Sequence, residues 1–587
     1  MDGVSFSLRV STRGYACNQV PGGRATCVEK VYYGQRVSLR VSIRRAGGAG
    51  LAVEPADVLI VGAGASGGVV ARRLSEVGFR VVCLEQGDWH DKSEYRGTEL
   101  DWELTMRKQW STSPNIRGLP EDYPIDETDS VVSPLMFSAV GGSTLIFAGA
   151  WPRMLPSDFR VRSLDGVADD WPLTYEELRP YYEGTDREFG VSGMGGDPAY
   201  PPGGEDPPLP PLPIGAGGLK VARAHAKLGW HWWPEPNSIL SVPYDGRRPC
   251  VQRGTCQQGC NEGAKASTDL THWPKAIAAG ARLVTGARVR HLETNAAGLV
   301  TGATWLDRDG GEHFEPARVV VLAANAIGTP RLLLLSASAA RPDGLANSTG
   351  LVGKRLMIHP FANVAGLFDE DLESWQGQFG CSIESFEFYE TDERRGFVRG
   401  AKWGLAPTFG PINAALPSRA GSQAWGPDHH LHVRSHLGRG ANWGLFSEDL
   451  PDEANTVTLS ATTTDSSGIP APKVTYSMSE NSRRLLDFHI EKASESLREA
   501  GAHTIEVDRL MRYSGWHLLG TARMGDDPAT SVLDRWNRTH DVPNLYVVDG
   551  SCFVTSSGVN PTSSIVALAL RAADHMIETR FNQQVPA

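Results

Sequence analysis

The run Val58-Leu-Ile-Val-Gly-Ala-Gly-Ala-Ser-Gly67 changes character halfway along, from four apolar residues to a G-x-G-x-x-G turn. Val58 to Val61 carry no polar interruption, the pattern of a strand buried on both faces of a parallel sheet. From Val69 to Leu74 a helical pattern follows. The three glycines have separate jobs. Gly62 allows the tight turn out of the strand, Gly64 admits a pyrophosphate close to the backbone, and Gly67 lets helix pack on strand. The helix start adds free N–H groups and a partial positive charge for phosphates. A second strand, Arg80 to Glu85, ends in an acid about twenty residues on, where a ribose-binding carboxylate belongs. Strand, turn, helix and acid together read as a dinucleotide site; a purely structural turn is the competing reading.

Working outward, the same alternation resumes far downstream. Arg282 to Thr285 and Ala287 to Leu292 read as strands. Arg318-Val-Val-Val-Leu-Ala-Ala324 reads as a third buried parallel strand, followed by a turn from Asn325 to Pro330 and a helix from Arg331. Between these halves lie a second glycine-rich turn, Ser138-Ala-Val-Gly-Gly-Ser-Thr-Leu145, and a capping-box helix start at Thr174 with Glu177. Residues 198–218, rich in proline and glycine, read as a long surface loop. From 361 to 507 the chain turns β-prone and aromatic, including Phe386 to Tyr389 and Leu431 to Leu437, and predicts an antiparallel sheet able to line a substrate cavity. The fold class is therefore α/β: a Rossmann-type dinucleotide-binding domain (54–165, 265–360 and 510–587) interrupted by a substrate domain built on an antiparallel sheet (166–264 and 361–509). Residues 1–53, arginine-rich and ending in a glycine-diluted run, read as a poorly ordered or non-native extension. A twin-arginine export signal at Arg44-Arg45 is the alternative.

Composition narrows the function. With 41% hydrophobic residues the 587-residue chain can bury a large core, and a net charge of -11 argues against nucleic acid or an anionic membrane as partner. No run reaches the roughly eighteen apolar residues that span a bilayer. Eight cysteines are too few for a disulfide scaffold in so long a chain. Cys250, Cys256 and Cys260 lack a usual zinc spacing and no C-x-x-C-H haem motif occurs, so they read as structural thiols or one local disulfide, with no metal site. The location reads as cytoplasmic.

The chemistry gathers near the C-terminus: His517-Leu-Leu-Gly-Thr-Ala-Arg-Met524, a strand Asn544 to Val548 delivering Asp549 and Gly550, then Gly558-Val-Asn-Pro-Thr562 and an alanine-rich helix from Ser563 to Ile577. Taken with Gly62-x-Gly64-x-x-Gly67 and Glu85, these motifs resemble the glucose-methanol-choline (GMC) flavoprotein oxidoreductases, from about residue 55 onward and in that family's order. The Ala139-Val-Gly-Gly-Ser-Thr turn and Gly259 to Ser267 are similar to its sugar branch: pyranose oxidases, glycoside 3-oxidases, and gluconate- or fructose-type dehydrogenase large subunits. The resemblance implies FAD, with pyrophosphate on Gly62, Ala63, Gly64, Ala65, Ser66 and Gly67, and ribose on Glu85 beside Gln86. It implies adenine near Val289, a further contact at Ala324, and a flavin ring covered by Gly141, Gly142, Ser143 and Thr144. Asp549, Gly550, Asn560, Pro561 and Thr562 would bound the ring. Some pyranose oxidases attach FAD through a histidine after the Gly-Gly turn; here Leu145-Ile-Phe-Ala follows, so non-covalent FAD is expected.

The implied reaction oxidises an alcohol. His517 removes the hydroxyl proton while hydride passes to flavin N5, and Asn560 orients the same oxygen. An unperturbed imidazole titrates near pH ~6.5 and accepts a proton when neutral. The expected substrate is a pyranose sugar or glycoside oxidised at the C2 or C3 hydroxyl to a keto-sugar; the Trp230-His-Trp-Trp233 cluster reads either as a stacking surface for it or as ordinary core packing. The alternatives are a choline or other non-sugar alcohol, or a non-catalytic FAD- or NAD-binding protein. His359 and Arg434 are polar candidates left outside the catalytic pair. The electron acceptor is O2, a quinone or a separate electron-transfer protein.

Overall fold

The computed structural model describes residues 54–105, 108–416 and 426–580, with the backbone of three earlier strands. Those strands, Tyr15–Val20, Arg24–Tyr33 and Arg36–Arg45, pair as an antiparallel meander within a separate unit, Met1–Glu54. They fall in the stretch read as a poorly ordered extension, whose remainder lies outside the described residues.

In the second unit, β1 (Ala56–Val61), β2 (Val81–Glu85), β3 (Glu312–Leu322) and β4 (Leu545–Val547) build the cofactor-type sheet. Its parallel order is Arg282–Thr285, β2, β1, β3, β4. Only the C-terminal half of β3 takes part in this parallel arrangement. Its N-terminal half pairs antiparallel with Val300–Leu306, which pairs in turn with Arg288–Thr294. Successive side chains leave opposite faces and both faces are covered. Leu59, Leu84, Val320 and Val547 enter one core; Val58, Ile60, Cys83, Val321 and Val548 enter the other. That burial, about 1.5–3 kcal/mol for each large aliphatic side chain, is why the strands read as unbroken apolar runs. Helix α1 (Ala65–Glu76) and the C-terminal helix α3 (Thr562–Thr579) share the second core, pinned by Arg73 Nε to Asp574 Oδ1 at 2.6 Å.

The expected antiparallel sheet is present: Thr504–Asp508, Phe361–Leu367, Gly440–Ser447, Ala401–Ala406, Ile383–Ser385 and Trp233–Pro234, in that order. Helix Glu480–Glu499 covers one face, its Leu485, Ile490 and Leu497 packing with Val364, Trp403 and Trp443. The Thr174–Glu177 capping box starts helix Tyr175–Phe189 as read.

Four local expectations differ. Leu431 to His436 belongs to helix His429–His436, with Leu437 as its C-cap, because the preceding Gly-Pro-Asp turn sets a helix start and the segment's Leu431 stays exposed rather than filling a sheet face. Phe386 to Tyr389 is a turn closed by Tyr389 N–H on the Phe386 carbonyl (3.0 Å); its aromatics are core filler, not strand. Helix α2 (Asn325–Leu335) starts at Asn325, six residues before Arg331, since Asn325 Oδ1 accepts from Ile327 N–H (2.9 Å) and Gly328 N–H (3.2 Å) and so caps the first turn. The loop from 198 ends early, as helix Gly215–Leu228 begins at Gly215. Cys250, Cys256 and Cys260 are free thiols packed with Leu212, Ile239 and Ala264, so the local disulfide is absent among the described residues.

Candidate active site

All five parallel strand ends point toward one cavity of about 320 Å³. Strand order reverses between β1 and β3, and a crevice at such a switch point is where open α/β sheets bind ligands. Every site residue read from the sequence lines this cavity except Ala63, Gly67 and Gly141, which build its wall. A Cβ on Gly67 would stand 2.1 Å from the Gly62 carbonyl oxygen, so only glycine lets α1 start this close to β1. On the cover turn, Gly142 (φ +53) faces Gly64, and a Cβ there would approach the Gly64 Cα to 2.8 Å. Gly141 N–H donates to the Ala63 carbonyl at 2.8 Å, tying cover turn to glycine loop.

The N-terminus of α1 carries no side-chain cap and no acid in its first turn, leaving amides free for an anion. Glu85 sits beside it, its Oε2 accepting from Ala63 N–H and its Oε1 from Gly87 N–H, both at 2.8 Å. Burial raises this carboxyl to about 6, with the backbone amides pulling the other way. Hydroxyl donors from a ribose would further favour the ionised form. Tyr123, Met136, Arg331 and Leu335 complete this end and escaped the sequence reading. Arg331 lies 4.6 Å over the Tyr123 ring and pairs with Asp465 Oδ2 at 2.8 Å.

At the other end His517 and Asn560 converge, Asn560 Nδ2 lying 3.5 Å from His517 Nε2. The segment after His517 is laid along the β4 exit: Gly520 N–H donates to the Gly550 carbonyl (3.0 Å) and Ala522 N–H to the Ser551 carbonyl (2.8 Å). Asp549 is fixed by Thr329 Oγ1–H at 2.6 Å and Ser551 N–H at 2.9 Å. Asn560 Oδ1 is buried and has no hydrogen-bond partner among the described residues, and a buried acceptor of this kind suits a substrate hydroxyl. His517 is held well below its ordinary pKa, first by burial and then by His359 and Lys402, so it is neutral and able to accept a proton.

The wall around this pair comes mainly from the antiparallel sheet and its neighbours: Phe361, Phe379, Cys381, Gly404, Ala406, Gly444, Phe446 and Trp516. Gly404 and Gly444 are direct cross-strand partners, and Phe446 stacks on His517 (5.8 Å between centroids, 28° between planes). Trp230 and Trp232 pack against the hydrophobic core beside helix Glu480–Glu499 and do not line the cavity, so of the two readings of this cluster core packing holds for them. Arg434 is exposed on helix His429–His436, away from the lining. His359, set aside by the sequence reading, lies against His517.

A doubly covered parallel sheet, a glycine turn with its acid, and a histidine–asparagine pair at the far end of one cavity define a flavin-dependent oxidoreductase. Residues 223–361 match the GMC oxidoreductase family in its N-terminal part and residues 451–569 in its C-terminal part. The chain is 44% identical to 2-methyl-1,2-propanediol dehydrogenase of Mycolicibacterium austroafricanum, over 90% of this chain and 96% of that protein. It is 32% identical to the fructose dehydrogenase large subunit of Gluconobacter japonicus, over 89% and 98% of the two chains. Pyridoxine 4-oxidase from Mesorbium loti shares the fold, with a TM-score of 0.59 at 20% identity over 89% of this chain and 99% of that one. This chain belongs to the GMC oxidoreductase family, acts on CH–OH donors and binds FAD. His517 is the one histidine among the described residues lining the cavity, so the cover turn offers none for covalent attachment. Among the described residues no helix is long and apolar enough to cross a membrane.

Proposed function

We propose that this enzyme oxidises a hydroxyl of a short, compact and largely apolar alcohol, a branched diol being the best fit, with His517 as base and Asn560 as orienting residue. The observation that carries this is the lining beside His517. His517 and Asn560 meet at this end of the cavity, with Phe446 stacked on His517 and Phe361 in contact with both Phe446 and Trp516. A pyranose carries a hydroxyl on nearly every ring carbon, and each hydroxyl buried without a partner costs about 1–3 kcal/mol. A histidine–asparagine pair framed by aromatic rings matches one or two hydroxyls better than five. The 44% identical diol dehydrogenase supports the same reading, and the 32% identical fructose dehydrogenase subunit supports the sugar reading in its place.

Bound FAD supplies the acceptor for the carbinol hydride, held by the Gly62–Gly67 turn, Glu85 and the Gly142–Thr144 cover. The chain's own residues handle the proton. Neutral His517 Nε2 takes it from the alcohol oxygen, while Asn560 hydrogen-bonds that oxygen and fixes which C–H faces the cofactor. The N-terminus of α3, reached through Pro561 and Thr562, places a partial positive charge at the cavity floor. Adding 2-methyl-1,2-propanediol, fructose and a glucoside separately to the anaerobic holoenzyme tests the substrate class. Bleaching of the flavin absorbance by the diol at far lower concentration than by either sugar is expected. Bleaching by the sugars alone overturns the proposal. Readmitting air then separates an oxidase, which recolours at once, from a dehydrogenase.

A further inference from the structure

His359 lies outside the lining of the cavity, wholly enclosed, yet it makes the shortest contact His517 has. The backbone explains why. Met357 and Leu519 form an antiparallel bridge, with Met357 N–H on the Leu519 carbonyl at 3.0 Å and the reverse bond at 3.1 Å. Two residues along in each direction, that register sets His359 opposite His517. Their Nδ1 atoms are 2.8 Å apart, and the rings meet edge to face at 4.9 Å and 78°. On its other side His359 Nε2 lies 3.2 Å from the Ser556 carbonyl oxygen. Ser556 is fixed in turn, its Oγ accepting from Asp449 N–H at 2.8 Å and donating to the Asp449 carbonyl at 2.9 Å.

These contacts admit one proton arrangement. A carbonyl oxygen only accepts, so His359 Nε2 carries a proton and donates it to Ser556. Burial pushes the His359 pKa down to about 4, so the ring is neutral and its Nδ1 holds a lone pair. A lone pair at 2.8 Å from His517 Nδ1 requires the proton to sit on His517 Nδ1. His517 Nε2 is then the bare nitrogen, and it is the one beside Asn560 in the cavity. Lys402, its ammonium 5.1 Å from the centroid of the Phe446 ring, is a positive charge near the pair and disfavours a second proton on either imidazole.

We propose that His359 is a positioning residue for the oxidation: it holds His517 in the Nδ1–H tautomer, so that Nε2 is free to take the alcohol proton. This rests on the preceding assignment of His517 as base. When the alcohol O–H proton moves to Nε2, Nδ1 keeps its own proton on His359, and the imidazolium so formed has a hydrogen-bond acceptor in place. The acceptor is neutral where many enzymes use a carboxylate. The proton on His517 is therefore only lightly stabilised, and it leaves readily once the carbonyl product has formed.

The test compares two amides of similar bulk. In His359→Asn the amide oxygen falls near the position of Nδ1 and still accepts from His517. In His359→Gln the amide reaches the position of Nε2 and leaves His517 Nδ1 without its acceptor. We expect H359N to keep kcat within about fivefold of wild type, and H359Q to lose on the order of 10²-fold in kcat with KM changed less than about threefold. FAD content should match wild type in both. A readout independent of turnover comes from long-range 15N–1H spectra of histidine-labelled protein, with His517 identified by subtraction of H517A. Wild type and H359N should show Nδ1–H, and H359Q a shift toward Nε2–H. Equal losses in both amide variants, wild-type kcat in H359Q, or an Nε2–H tautomer in wild type each overturn the proposal. Turnover unaffected in H517A overturns the base assignment instead, and the spectra then still decide which tautomer His359 sets.

Discussion

Substituting Gly67 by alanine strikes both the fold and the cofactor site through one methyl group. The added Cβ would stand 2.1 Å from the Gly62 carbonyl oxygen, 3.2 Å from its carbon and 3.4 Å from the Ala323 Cβ. The first contact is with backbone, which cannot swing aside. Relief requires the start of α1 to withdraw by about 1 Å, given ordinary non-bonded separations. Overpacking of this kind costs about 1–3 kcal/mol in the protein alone. The amides of the first helical turn withdraw with it, weakening two or three charge-assisted bonds to the pyrophosphate and lowering FAD affinity by about 3 kcal/mol, or roughly 10²-fold. Gly78→Ala is the control. Gly78 has φ +84 and nothing within 4 Å of an added Cβ, so it isolates backbone strain of about 1–2 kcal/mol from steric push. Fluorescence titration of the FAD-free protein, with thermal unfolding of the FAD-free and FAD-bound forms, reads both terms. The expectation is that G67A loses stability and affinity while G78A loses stability alone. Wild-type FAD affinity in G67A would refute the reasoning that Gly67 sets the approach of α1 to the phosphates.

Replacing His517 by alanine should slow anaerobic flavin reduction by 10²–10⁴-fold with FAD content unchanged, as read by stopped-flow absorbance; an unchanged rate removes His517 from the proton transfer. Trp516→Ala, deleting an aromatic wall that meets Phe361 edge-on at 5.4 Å, should raise KM for a branched diol about tenfold and admit bulkier alcohols. A steady-state substrate panel checks this, and an unchanged ranking of substrates counts against the apolar pocket. Asp449 is buried and its carboxyl pushed up to about 7, so the folded protein retains a proton that the unfolded chain releases. That stabilisation is complete below about pH 4 and is lost as pH rises through about 7, by up to about 4 kcal/mol. The stability of D449N relative to wild type should accordingly rise between pH 4 and 7 in denaturant titrations, whereas a difference independent of pH would show that Asp449 titrates normally.

The cofactor half of the molecule was legible because its signals are local. The apolar run before Gly62, the acid closing β2 and the Asp549-Gly550 strand end each occupy a few adjacent residues whose types follow from one backbone conformation. The capping box at Thr174 is the same kind of signal. The substrate wall is different. Phe361, Gly404 and Phe446 become neighbours only through the register of the antiparallel sheet, with Trp516 brought onto Phe361 from a separate segment, and nothing near any of them in the chain encodes it. The tryptophans at Trp230 and Trp232 looked apt for a sugar because aromatic faces suit both ligands and cores, and here the core took them. The contact of His359 with His517 follows from a single bridge between Met357 and Leu519, distant in sequence and too short to leave a periodic pattern. Leu431 to Leu437 misled because apolar alternation in a short exposed helix mimics a strand.

The placement of β4 bears on how the protein comes to be made. Its partner, the C-terminal half of β3, is completed at Leu322, but the pairing of Val320 with Leu545 waits for more than two hundred further residues. Until those emerge during synthesis, β3 presents an open parallel edge, and the floor formed by Asp549, Gly550 and Asn560 does not exist. FAD capture is thus deferred until β4 and the residues after it have been made and α3 can dock beside α1. Holo-protein yield should consequently track how well the nascent chain is kept from pairing that edge with another molecule, more than it tracks the supply of flavin.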